Sequence, residues 1–129
     1  VFGSHQFHEI TMYYPMRTIV TNKYKLIVNL DHEKAYPFAS DLWGSPSWQY
    51  IRTNKVKMMG ERPVASYLHR PKEELYDLVS DPNELKNLAA DPSHAKTLAD
   101  LRQRLRTWQA ETNDPWTILY REENSKFNK

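Results

Sequence analysis

The sequence predicts a two-layer α+β domain, a small antiparallel sheet of about four strands packed against one long C-terminal helix. Three observations carry that expectation. Ala95, Leu98, Leu101, Leu105, Trp108 and Thr112 recur at steps of three and four, which puts them on one stripe of a helix about twenty residues long. Met16–Thr21 and Tyr24–Leu30 are two β-prone runs joined by Asn22-Lys23, a pair suited to a tight reversal. Leu75, Tyr76, Leu78 and Val79 form a further short β-prone run ahead of the helix. An amphipathic helix must bury its stripe, and the inner face of the sheet is its natural partner.

Along the chain, Ile10 to Tyr14 is β-prone, and Pro15 interrupts it as an edge position or a bulge would. In the second hairpin arm Tyr24, Leu26, Val28 and Leu30 alternate with Lys25, Ile27 and Asn29, so one face meets a core and the other is mixed. Residues 31 to 72 hold Pro37, Gly44, Pro46, Gly60, Pro63 and Pro71, breakers that leave room for loop and one short helix. That helix starts with Ser45 as cap and Pro46 in the first turn, runs to about Asn54, and turns Trp48 and Ile51 inward. Val64 to Leu68 leads into the next strand. After Leu75–Val79, Asp81 caps a turn with Pro82 at a first helical position and Glu84 three residues past the cap, and the device recurs at Asp91-Pro92. The long helix stops near Thr112-Asn113-Asp114-Pro115, because Pro115 cannot continue it and disfavours a helical Asp114. Ser125 to Lys129 reads as a frayed tail.

Composition narrows the function classes. With 129 residues the chain fits one domain, residues 1–129. Having no cysteine, it holds no disulfide, thiolate metal site or cysteine nucleophile. A net charge of +2 is too small to argue for nucleic acid, and no apolar stretch reaches the roughly 20 residues of a membrane span. Arg102, Arg104 and Arg106 cluster with Lys96, a pattern usually found on a solvated helix face. No Gly-rich phosphate loop, no Gly-x-Ser-x-Gly elbow and no Ser-His-acid pattern is present, so no assembled active site is legible.

Four residues form the candidate binding set. His5, His8 and Glu9 put two imidazoles and a carboxylate within five residues, able to ligate a metal or exchange protons. The order is not the His-Glu-x-x-His of a helical zinc site, and on extended chain residues 5 and 8 point to opposite sides, so no metal site is assigned. A polar loop or a substrate-facing loop fits them. Arg17 follows Tyr13-Tyr14-Pro15-Met16, where a guanidinium suits either an anionic group on a sugar or a carboxylate of the same chain. Trp43 and Trp48 read as a sugar-stacking pair or, more often in such loops, as buried aromatics.

The run Glu74-Leu75-Tyr76-Asp77-Leu78, followed by Asp81-Pro82-Asn83-Glu84 and Asn87-Leu88-Ala89, resembles the C-terminal signature of the sulfatase family. Further blocks, Val1 to Ser4, His8 to Met12, Tyr14 to Arg17, Tyr24 to Ile27, Ser45-Pro46 and Trp108 to Trp116, are similar in order to the heparan N-sulfatase branch of that family. The resemblance implies a larger upstream α/β domain in which a Cys or Ser of C/S-x-P-x-R matures to formylglycine and a calcium ion holds the sulfate. It also implies a sulfated sugar as substrate and an exported location. No Ser here stands two before a Pro and four before an Arg, and no Asp cluster resembles the calcium site. Val1 already stands in a strand-like phrase, so the chain is expected to continue upstream, where any export signal would lie. The resemblance therefore implies a C-terminal domain, inert by itself, whose His5, His8, Glu9 and Arg17 approach the substrate rim. Two further functions stay open, a free-standing binding domain for acidic glycans that uses Arg17, the Lys96 to Arg106 face and the Trp43 to Trp48 loop, and a structural interaction domain.

Overall fold

The computed structural model describes residues 1–9 and 12–117. Its main sheet has four antiparallel strands, β1 (Phe2–Phe7), β2 (Tyr13–Val20), β3 (Tyr24–Asn29) and β6 (Glu73–Asp77), in the order β1-β2-β3-β6. The fold class is the expected α+β. The β2–β3 reversal is the predicted one: Thr21 and Tyr24 close it, with the Tyr24 amide donating to Thr21 Oγ1 at 2.8 Å and the Thr21 amide donating to the Tyr24 carbonyl at 2.8 Å.

The first strand lies earlier than the β-prone residues suggested. The strand-like phrase at Val1 is the start of it, Phe2–Phe7 pairing with β2, and of the Ile10–Tyr14 run Ile10 and Thr11 lie outside the described residues. Pro15 sits inside β2, a central strand, and it does so at a bulge. His5 pairs with Met16 and Phe7 with Tyr13, so Tyr14 and Pro15 together oppose Gln6 alone. Pro15 still contributes its carbonyl, which accepts from Leu30 N at 3.0 Å.

The period of two divides the sheet into two faces. Phe2, Arg17, Ile19, Leu26, Val28, Glu73 and Leu75 share one face by register, and Gly3, His5, Met16, Thr18, Ile27 and Glu74 share the other. The first is covered by α4 (Ala95–Glu111), whose Leu98, Leu101 and Leu105 form a core with Ile19, Leu26, Val28, Leu75 and Leu88. At about 1.5–3 kcal/mol for each fully buried aliphatic side chain, this layer is the principal source of stability. Phe2 stacks on Trp108 with centroids 5.2 Å apart, tying β1 to the helix. Arg102 on α4 pairs with Glu73, tying the helix to β6.

Asp91 caps the entry to α4 as expected, its Oδ1 accepting from Ser93 N at 2.9 Å at the head of a 3-10 turn, Pro92–His94. The exit is also as expected, with Asn113 in the left-handed region (φ 50°). Asp81 behaves differently. Its Oδ2 accepts from the amides of Leu85 and Lys86, both at 2.8 Å, and Glu84 has φ 55°, so the predicted helix start at Pro82 is instead a closed turn. Just beyond it, Asn87 replaces a strand. Its Oδ1 accepts from Leu75 N at 2.9 Å and its Nδ2 donates to the Glu73 carbonyl at 2.9 Å, covering the outer edge of β6. That strand spans Glu73–Asp77, two residues before the expected Leu75–Val79, and Val79 is exposed in the turn that follows.

Residues 31 to 72 contain more structure than one helix. Helix α2 (Pro46–Thr53) is the predicted one, with Ser45 Oγ accepting from Trp48 N at 3.2 Å and Trp48 buried. It is preceded by α1 (Ser40–Gly44), and a two-residue hairpin of β4 (Met58–Met59) and β5 (Arg62–Pro63) turns at Gly60 with φ 61°. Val64–Leu68, expected to lead into a strand, is a short helix α3. Its Tyr67 packs with Tyr36, Phe38 and Trp48 in a second, aromatic core beside Tyr14. Ser125 to Lys129 lie outside the described residues.

Candidate functional site

The four candidate residues lie around the β1–β2 connection, and the structure separates them by task. Glu9 is tied to α1, its carboxylate accepting from Ser40 N at 2.5 Å and from Ser40 Oγ at 3.1 Å. The chain closes on itself here, since Met12 N donates to the Glu9 carbonyl at 2.9 Å and His8 N to the Met12 carbonyl at 3.2 Å. His8 is exposed on this turn. His5 faces the side of the sheet away from α4, and its Nε2 is buried with no hydrogen-bond partner among the described residues.

Arg17 is committed inside the chain. It is 2% exposed, donates from Nε and Nη2 to the two oxygens of Asp114 at 2.5 and 2.8 Å, and donates from Nη1 to the Met16 and His5 carbonyls at 2.8 and 3.3 Å. Of the two partners foreseen for this guanidinium, the carboxylate of the same chain is the one present. Gln109 Nε2 donates to Asp114 at 3.0 Å, and the Trp116 amide donates to it at 3.1 Å. Burial pushes the Asp114 carboxyl up, but the bonds from Arg17, Gln109 and Trp116 outweigh it and hold the group at about 2. This cluster joins β2 to the end of α4 and holds the backbone of His5.

Among the described residues, two clefts lie on the sheet face away from α4. One, of about 400 Å³, lies between Lys25, Arg62, Tyr67, Arg70, Glu74 and Tyr76. In it Glu74 is spoken for, accepting from Asn29 Nδ2 at 2.7 Å and from the Tyr76 hydroxyl at 2.5 Å. Burial and that bond to Glu74 push the Tyr76 hydroxyl well above its ordinary range. The other cleft, of about 280 Å³, runs over His5, Met16, Thr18 and Ile27. Arg70 borders both, stacked over Tyr36 at 3.7 Å from the ring centroid, with Nη1 3.6 Å from Met16 Sδ.

Sequence reasoning passed over Arg70, Asp114 and Gln109. Gln109 had a usable signal, since it continues the apolar stripe four residues after Leu105. Asp114 and Arg70 had none, because their partners lie 97 and 54 residues away in sequence. Of the tryptophans, Trp48 is buried and Trp43 is 46% exposed with Arg52 5.4 Å from its ring. On the basic helix face Arg104 pairs with Asp100 at 3.6 Å. Among the described residues no group of three or more His, Cys, Asp or Glu side chains is placed to hold a metal ion, and no helix is long and apolar enough to cross a membrane.

No protein-family model matches the chain. In structure it resembles a protein of Bacteroides thetaiotaomicron VPI-5482 assigned to the sulfatases and a 2-O GAG sulfatase, each with a TM-score of 0.57 and 22% identity over 92% of this chain and 17% of the other. At that identity the likeness is one of fold, shared with a part of each of those chains. In sequence the chain is homologous to the human N-sulphoglucosamine sulphohydrolase, with 41% identity over 119 residues, and it spans 24% of that protein's length. The resemblance carried by the Glu74–Ala89 run is therefore one of homology.

Proposed function

We propose that the chain serves as the C-terminal domain of a hydrolase that removes sulfate from a sulfated sugar, with N-sulfated glucosamine as the substrate class. The observation that carries this is the 41% identity to N-sulphoglucosamine sulphohydrolase across 90% of the chain. In this reading the whole of 1–129 is one domain, an upstream α/β domain is its partner, and formylglycine and calcium belong to that domain. Supporting that assignment, the sequence has neither a cysteine nor a Ser two before a Pro and four before an Arg, and among the described residues no three His, Cys, Asp or Glu side chains are placed together for a cation.

Its contribution is to the pocket rim. His8 is exposed on a turn that Glu9 anchors to α1, and Arg17 holds the His5 carbonyl from below, so the 5–9 segment is a fixed, nitrogen-bearing edge. Such an edge suits sugar hydroxyls or a sulfamate. Arg17 acts here as a positioning residue, through His5, and does not meet the substrate itself.

The experiment is to express the chain together with its preceding reading frame and assay desulfation of N-sulfoglucosamine against a 6-O-sulfated glucosamine. The N-sulfated sugar is expected to be the better substrate. His8→Ala should lower kcat/KM about tenfold, the equivalent of one hydrogen bond of about 1.4 kcal/mol, with Tm unchanged. Unaltered kinetics in that variant would remove the rim role. A preceding frame without a formylglycine motif would remove the enzyme reading altogether.

A further inference from the structure

The cleft over His5, Met16, Thr18 and Ile27 has a donor-rich lining with no Asp, Glu, Asn or Gln in it. Four of its side chains bear nitrogen: His5, Arg17, Lys25 and Arg70. Two are already matched, Arg17 to Asp114 on the opposite face and Lys25 to Glu84 at 2.9 Å. The other two are not. Arg70 has no carboxylate within 4 Å among the described residues, and the buried His5 Nε2 makes no hydrogen bond among them. They flank one residue, since Arg70 Nη1 lies against Met16 Sδ and His5 is the cross-strand partner of Met16. A guanidinium pinned over Tyr36, with the Tyr67 ring and the Met16 thioether beside it, is held in place without a carboxylate partner among the described residues.

We infer that this sheet face is a docking surface for a polypeptide segment presenting a Glu or Asp side chain between apolar residues, its carboxylate seated on the Arg70 guanidinium. The apolar floor and the acceptor-poor lining select this ligand. Thr18 donates its hydroxyl proton to the Leu26 carbonyl at 2.8 Å, so that hydroxyl has no proton left for a ligand, and Met16, Ile27 and the methyl of Thr18 form an apolar floor. A sugar brings several hydroxyls that need acceptors, whereas an acidic side chain flanked by apolar neighbours needs only donors and an apolar floor. A carboxylate on a guanidinium makes a charge-assisted bond roughly twice as strong as a neutral one. The source of the segment rests on the reading above: the chain spans 24% of its relative, and the remaining length of such a protein is polypeptide able to cover this face.

The test uses the 129-residue chain, labelled with 15N, and three probes at constant ionic strength: acetyl-Leu-Glu-Leu-amide, its Leu-Gln-Leu counterpart, and N-sulfoglucosamine. The Glu peptide is expected to shift the amides of Gly3, Thr18 and Ile27 saturably, and the Gln peptide to bind at least about tenfold more weakly. Arg70→Gln should erase the difference between the peptides. Thr18→Glu supplies the carboxylate from within and should abolish peptide binding, which decides the matter if Arg70→Gln does not fold. Equal binding of the two peptides overturns the inference. So does N-sulfoglucosamine shifting the same amides more tightly than the Glu peptide, which would make the cleft a sugar subsite. Neither outcome depends on desulfation, so a failed activity assay and a failed docking surface are told apart.

Discussion

Ile19 and Thr18 are neighbours on β2, yet one side of their strand is closed and the other open. Around Ile19, Leu26 and Leu75 are fully buried against α4, and the charged groups of that face are matched, Arg17 with Asp114 and Arg102 with Glu73. Around Thr18 lie half-exposed Met16 and Ile27, an Arg70 held by a ring and a sulfur, and a buried His5 nitrogen with no bond among the described residues. Two faces of one sheet, sharing every backbone hydrogen bond, thus do different work. Stability demands that buried polar groups be satisfied within the chain, and recognition leaves some of them for a partner.

The largest test of that division is removal of packing from the closed face. Leu101→Ala takes a 2% exposed side chain out of the helix stripe and is expected to cost about 3–5 kcal/mol in urea unfolding. A cost under about 1 kcal/mol would mean that α4 is not what holds the sheet.

Next in size is the buried ion pair. Arg17→Met leaves Asp114 buried with only Gln109 and the Trp116 amide as donors, and should cost about 3 kcal/mol. The double replacement Arg17→Met/Asp114→Leu should recover most of this, because the loss comes chiefly from stranding one charge. If single and double variants unfold alike, the pair is not coupled and the matched-charge account of this face fails.

Acid probes the same pair without mutation. Asp114 sits at about 2 when folded against 3.8 for an ordinary Asp, so its proton is bound more weakly in the folded state. A depressed carboxylate contributes stability that is full above about pH 4 and is lost as pH falls toward 2, here about 2 kcal/mol. Subtracting the acid unfolding profile of the Arg17→Met/Asp114→Leu chain from that of the original should isolate a loss in that window. Parallel profiles between pH 4 and 2 would show that Asp114 keeps an ordinary pKa.

The closed face was largely legible in the sequence and the open one was not, for a physical reason. Leu98, Leu101 and Leu105 announce their burial by spacing alone, and Ser45-Pro46 or Asp91-Pro92 announce a cap by bonds to residues two or three away. Phe2–Phe7 gave only the strand-like phrase at Val1 and no bounds, because an edge strand takes its conformation from pairing with β2 more than from its own residues. Asp81-Pro82 read as a helix start, and the positive φ of Glu84 together with Asn87 bonding across to β6 ended it as a turn. His5, His8 and Glu9 read as one cluster and Arg17 as a separate candidate beside it. Their division into an exposed imidazole, a loop anchor and an internal ion pair depended on Ser40 and Asp114, far away in sequence.

The smallest expected effect sits on the open face and tests the contrast most finely. Ile27 lines both clefts and is only half-buried, so truncating it widens space that is already open and leaves no closed cavity. Only part of its transfer free energy is at stake, and Ile27→Ala should cost about 1 kcal/mol in the same urea assay, well below Leu101→Ala. The same substitution removes floor from beneath an apolar-flanked carboxylate, so it should weaken the Glu peptide by more than it weakens the fold. A loss of stability equal to that of Leu101→Ala would make this face a second core, and the distinction between a face that stabilises and a face that recognises would not stand.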